Sequence, residues 1–169
     1  DGFMTSVNET AVLARRVNEM LRRYMKVQED LFKPSLRKIL RIPGIYRPID
    51  YAENLRALEE LLRELAEVKA AIRREEPDAA SPEGKFLGVL RGYVSLMTSA
   101  VEKLENICSR LKERSEGGAY GKDEYKSDMA ALREIQKKHL ESGVALNEMM
   151  KTLSRSDPPK ETQDDESKS

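Results

Sequence analysis

The sequence predicts an all-α fold: an elongated, antiparallel up-down-up-down four-helix bundle, with a short basic helical and turn segment between the first two helices. Three observations predict it. Four stretches of apolar residues recur at helical spacings of three, four and seven. Three short breaks rich in Pro, Gly and Ser separate them. The composition, 36% charged and 39% apolar with 5% aromatic residues and no Trp, suits aliphatic seams with solvated flanks better than strands. A chain of 169 residues supports one domain with a real core. Its breaks are too short for the long crossovers of parallel bundles, so consecutive helices should run antiparallel.

The bundle is expected to occupy residues 6–155, with helices over 6–41, 50–76, 83–115 and 122–155. Residues 1–5 and the acidic stretch 156–169 are expected to be disordered, the latter because it has no apolar side chain to bury. Ser6 reads as the first N-cap, with Val7, Ala11, Ala14, Val17, Leu21, Met25 and Leu31 on the inner face. Pro34 opens a short helix or kinks the first one, and Pro43, Gly44 and Pro48 make a turn and an extended connection. Asp50 caps the second helix, whose seam carries Leu58, Leu65 and Ile72. Ser81 and Pro82 are a cap and a first helical position, launching a third helix with Leu90, Met97 and Leu104 inside. Gly117, Gly118 and Gly121 form the last break, after which Leu132, Ile135, His139 and Leu146 line the fourth seam.

Charge and composition exclude several classes of function. Thirty Lys and Arg balance thirty Asp and Glu, so the overall field lacks the footprint of a dedicated nucleic-acid binder. Cys108 is the single cysteine, which leaves no intrachain disulfide and no Cys-Cys or Cys-His cluster for zinc. No run approaches the roughly eighteen apolar residues of a membrane span, and a cytoplasmic location is favoured. No nucleophile stands beside a convincing base, so no catalytic residue, metal or resident cofactor is expected.

Three places carry candidate function. The segment from Lys33 to Pro48 holds Lys33, Arg37, Lys38, Arg41 and Arg47 and no acid, with Tyr46 among its apolar residues. Such a segment fits an acidic protein partner first, then an anionic membrane surface, with nucleic acid last. In the third helix, Gly84, Gly88, Gly92, Ser95 and Ser99 make a stripe of small side chains. Each interior glycine costs about 1 kcal/mol relative to Ala, so the stripe predicts a close approach: a packed neighbouring helix, or a groove that admits a partner helix or ligand. His139, the only histidine, falls on the inner seam of the fourth helix with Ser142, making a polar layer. A di-iron type carboxylate site is excluded because the position three before it is Gln136 rather than Glu. Counting inward along antiparallel helices one and four brings Met20 near His139, the pair that a noncovalent haem would need.

The run His139-Leu140-Glu141-Ser142-Gly143 resembles histidine phosphotransfer domains at two positions, the His and the Gly four residues on, and departs from them at Ser142, where that family has Lys. The resemblance implies a helical bundle and an exposed phosphorylatable histidine. Taken together, the residues predict a noncatalytic protein-interaction module that binds through a bundle face or the basic 33–48 connection, homo-oligomers included. The alternative is a small-molecule or haem-binding bundle built around His139, Gly88, Gly92, Ser95 and Ser99.

Overall fold

A computed structural model describes residues 2–32, 48–75 and 78–156, with side chains described from 9 to 153 within those ranges. It is an all-α four-helix bundle: α1 (Gly2–Phe32), α2 (Tyr51–Glu75), α3 (Pro82–Ser115) and α4 (Lys122–Ser156). The helix ends follow the local chemistry. Glu53 N donates to Asp50 Oδ1 at 3.0 Å at the start of α2, and Gly84 N donates to Ser81 Oγ at 3.0 Å at the start of α3, where Pro82 takes the position that needs no donor. The end of α3 turns on Gly117, whose φ of 96° is left-handed, and Gly118 N closes the turn on the Glu113 carbonyl at 2.8 Å.

At the N-terminus α1 begins at Gly2 rather than at Ser6, because no proline interrupts the backbone ladder there. The expected continuation of this helix to residue 41, and the tail 157–169, lie outside the described residues.

The seams pack as the periodicity dictates. From Phe86 to Leu111, α3 buries apolar residues along its length, with Leu90, Val94, Met97, Val101 and Leu104 fully enclosed. Opposite them lie Leu58, Leu61, Leu65 and Val68 of α2 and Leu132 of α4. Each such aliphatic side chain contributes about 1.5–3 kcal/mol by leaving water. In α1 the buried stripe is Leu13, Val17, Met20, Tyr24, Val27 and Leu31. Ala11 and Met25, expected inside, are exposed, because the stripe steps by three and four from Val17 through Tyr24 and leaves Met25 one position round the helix.

Neighbours are antiparallel. Arg16 Nη2 pairs with Glu67 at 2.6 Å and Arg23 with Glu64 across α1 and α2, while Asn54 of α2 donates its amide to Asp30 Oδ2 at 2.7 Å. Between α3 and α4, Lys103 Nζ meets Asp128 Oδ1 at 2.8 Å and Tyr93 meets His139. Helix α3 is central and packs against all three others. Helix α4 packs closely against α3: among the described helices, no other comes within 8 Å of it, Cα to Cα. A cleft therefore runs between α1 and α4.

Candidate functional site: an apolar groove between α1 and α4

The cleft is a groove of about 670 Å³, open along its length. Helix α1 supplies Leu21, Tyr24, Met25, Gln28 and Phe32 to one wall, residues that recur every three or four positions and so share one side of the helix. The other wall is α4, through Gln136, Leu140, Val144 and Asn147. The floor is Tyr93 of α3 together with His139 and Gly143 of α4. The walls are apolar and wet at once: Met25 is 59% exposed, Leu140 70% and Val144 57%. Large aliphatic side chains at such exposure are thus gathered along one cleft rather than scattered singly.

One side chain bridges the walls. Gln136 Nε2 donates to Tyr24 Oη and to Gln28 Oε1, each at 2.8 Å. The Tyr24 hydroxyl is held above its ordinary pKa by burial, which the bond from Gln136 partly offsets.

Beneath the groove, His139 is 6% exposed and its ring lies 4.3 Å from that of Tyr93, centroid to centroid, tilted by 32°. Gly143 lies close against the same tyrosine ring, where a Cβ would sit a tight 3.2 Å from Tyr93 Cε2. Burial lowers the pKa of His139 below 6.5 and raises that of Tyr93 to about 12, so both rings are neutral near pH 7. His139 Nε2 is closed to solvent and has no hydrogen-bond partner.

The expected sites fall in different places. Lys33, Arg37, Lys38, Arg41, Tyr46 and Arg47 lie outside the described residues. Gly88 and Gly92 are exposed, and a Cβ at either would meet nothing within 4 Å, so the close approach expected of them is absent. Ser99 is also exposed, and its hydroxyl donates to the Ser95 carbonyl at 3.3 Å. Gly88, Gly92 and Ser99 face water, Ser95 is half-buried, and none of them joins His139 in one pocket. Gly84 is different: a Cβ there would fall 2.1 Å from the Asp78 carbonyl oxygen, which explains its glycine as a turn requirement. Met20 is fully buried in the core and does not line the groove.

Sequence reasoning missed Leu140 and Val144. Their signal was a second apolar stripe, four residues apart, displaced one position from the seam residue His139. Met25 was seen, but as core.

No group of three or more His, Cys, Asp or Glu side chains converges among the described residues, and no described helix is long and apolar enough to cross a membrane. No known protein family, curated protein or solved structure matches the chain.

Proposed function

We propose that this chain is a noncatalytic helical interaction module that takes the apolar face of a partner protein's helix into the α1–α4 groove. The observation that carries the reading is the exposure of Met25, Leu140 and Val144 along one cleft between two helical walls. An amphipathic helix laid in such a groove buries its own apolar residues at helical spacing and restores the fourth side that α4 lacks. The basic 33–48 connection, the other surface that the sequence suggests, stays in the reading as a second contact.

Support for a noncatalytic role comes from the reactive groups themselves. The thiol of Cys108 is buried, donates to the Tyr51 carbonyl at 3.7 Å and is pushed up to about 11, chiefly by burial and then by Glu105 and Asp30, so it is not a ready nucleophile. A ligand reading centred on His139 has one observation in its favour, the unpartnered Nε2. That nitrogen is shut off by packing, so haem iron or a phosphoryl donor would reach it only after α4 moved away from Tyr93.

The test is site-specific photocrosslinking in the natural host. A crosslinker at Leu140 should capture a discrete partner that the same group at Gly92, on the outer face of α3, does not. Leu140→Asp should abolish the purified complex while leaving the helical spectrum unchanged. Equal capture from both positions, or a complex indifferent to Leu140→Asp, would overturn the reading. A Soret band in protein purified from that host would replace it with haem binding.

A further inference from the structure

A helix with a surface matched to the α4 wall of the groove is already in the molecule. Resting on the groove reading above, we infer that the occupant is α4 of a second copy of this chain, laid antiparallel along the first copy's α4 across a two-fold axis at Leu140.

The order of charges along α4 carries the inference. Leu140 is the most exposed large apolar side chain among the described residues. Helical periodicity sets Arg133 and Lys137, seven and three positions before it, and Val144, four positions after it, on one strip of the helix surface. Glu141 and Glu148, one and eight positions after Leu140, follow the edge of the strip that carries Lys137. All of these are exposed, so the strip is basic before Leu140 and acidic after it. Arg133, Lys137 and Glu141 form no ion pair among the described residues.

A two-fold axis at Leu140 folds that order onto itself. A residue some number of positions before Leu140 then faces one about as many positions after it in the other copy. Arg133 meets Asn147 and Glu148 of the partner subunit, Lys137 lies between the partner's Glu141 and the partner's Val144, and Leu140 packs on its counterpart. Each contact occurs twice, and each joins opposite charges or apolar groups. Lys151 pairs with Glu148 of its own helix at 3.5 Å and falls opposite Met129 and Ala130 of the partner subunit, not a cation. Glu134, at the outer margin of the same edge, falls opposite the partner's Ala145, and Lys138 is on the far side of the helix. A parallel pairing would instead set cation on cation and acid on acid.

Helix α1 adds no preference of its own, because Glu19, Arg22 and Lys26 mix both signs along its outer edge and Glu29 has an interaction already. The whole chain, with thirty cations and thirty acids, approaches its copy without net repulsion. From Arg133 to Glu148 the paired stretch is about 22 Å long at 1.5 Å per residue, a modest contact that suits a dimer in the micromolar range.

Sedimentation equilibrium of the chain from about 5 to 200 µM tests this. The mass should rise from one chain to two, and Leu140→Asp should weaken the dimer at least about tenfold. Arg133→Glu with Lys137→Glu makes the strip acidic throughout, and Glu141→Lys with Glu148→Lys makes it basic throughout. Each double variant alone should stay monomeric at low salt, and an equimolar mixture of the two should dimerise again, with added salt undoing the rescue. That rescue is a result that misfolded variants could not give. Dimers that survive Leu140→Asp, or that both double variants retain, would place the contact elsewhere and overturn the inference. A chain that stays monomeric throughout would overturn the second copy alone: the groove reading then stands if the crosslinker at Leu140 captures a different protein, and falls with it if nothing is captured.

Discussion

The two halves of α4 are held to α3 by different chemistry. Near its start the contact is charged: Lys103 Nζ and Tyr120 Oη bond Asp128 at 2.8 and 2.6 Å, and Arg110 reaches Asp128 and Glu124 at 3.3 Å each. Arg110 and Arg114 also lie over the Tyr120 ring, at 5.1 and 5.9 Å. From its midpoint the contact is aromatic and uncharged, His139 on Tyr93 with Gly143 beside them, and the outer side chains Leu140 and Val144 are left bare. The first half is finished as a structural clamp. The second packs on one side and presents a surface on the other, because α1 stands too far away to cover Leu140 and Val144. One helix with one continuous periodicity thus has two differently covered parts, and the difference lies in what its neighbours reach.

The comparison can be broken most forcefully at the residue between the halves. Leu132 is fully buried, so Leu132→Ala should cost about 2–5 kcal/mol in urea denaturation. A change below about 0.5 kcal/mol would mean that α4 contributes little to the cooperative fold.

A smaller effect is expected from the clamp. Lys103 and then Tyr120 hold the Asp128 carboxyl below its ordinary pKa of 3.8. Asp128→Asn should cost about 1–2 kcal/mol at neutral pH and less as salt rises. A group whose folded pKa is depressed stabilises above its ordinary value and loses that contribution as pH falls through the folded value. The Asp128 contribution should therefore persist to about pH 4 and disappear only below it, as acid titrations of the variant and the parent would reveal.

The smallest effect separates the halves by pH. Burial depresses the His139 pKa below 6.5, so the unfolded chain takes up the proton first. Its contribution is complete above pH 6.5 and falls as the solution is acidified beneath that value, well before Asp128 titrates. Glu105, held above its usual range by burial and then by Glu59 and Glu102, and Glu75, raised chiefly by its bond with Glu9, run the other way. The histidine effect is thus read as the difference between the parent and His139→Phe, which should be flat above pH 6.5 and grow toward pH 5. A flat difference across the whole range would place His139 in contact with water and undo the contrast between the two halves.

Much of this was legible in the residues alone. The spacing of Val17, Leu58, Leu65, Leu90, Leu104 and Leu132 with their neighbours specified four amphipathic helices, because a 3.6-residue period brings those side chains onto one face wherever the helix ends up. Asp50, Ser81, Pro82 and Gly117 specified helix ends, since capping and turning are decided by a few adjacent residues. The inward position of His139 followed from the same period. What sequence could not decide was distance between helices. Gly88 and Gly92 read as a site of close approach, yet the approach occurs at Gly143, because only the crossing of α3 and α4 sets which glycine meets a ring. Met25 read as core and Leu140 was given no place, whereas both line one groove, because α4 packs closely on α3 and leaves α1 across an open cleft. Periodicity fixes the direction in which a side chain points from its own helix; whether anything waits there to cover it is a property of the packed tertiary structure.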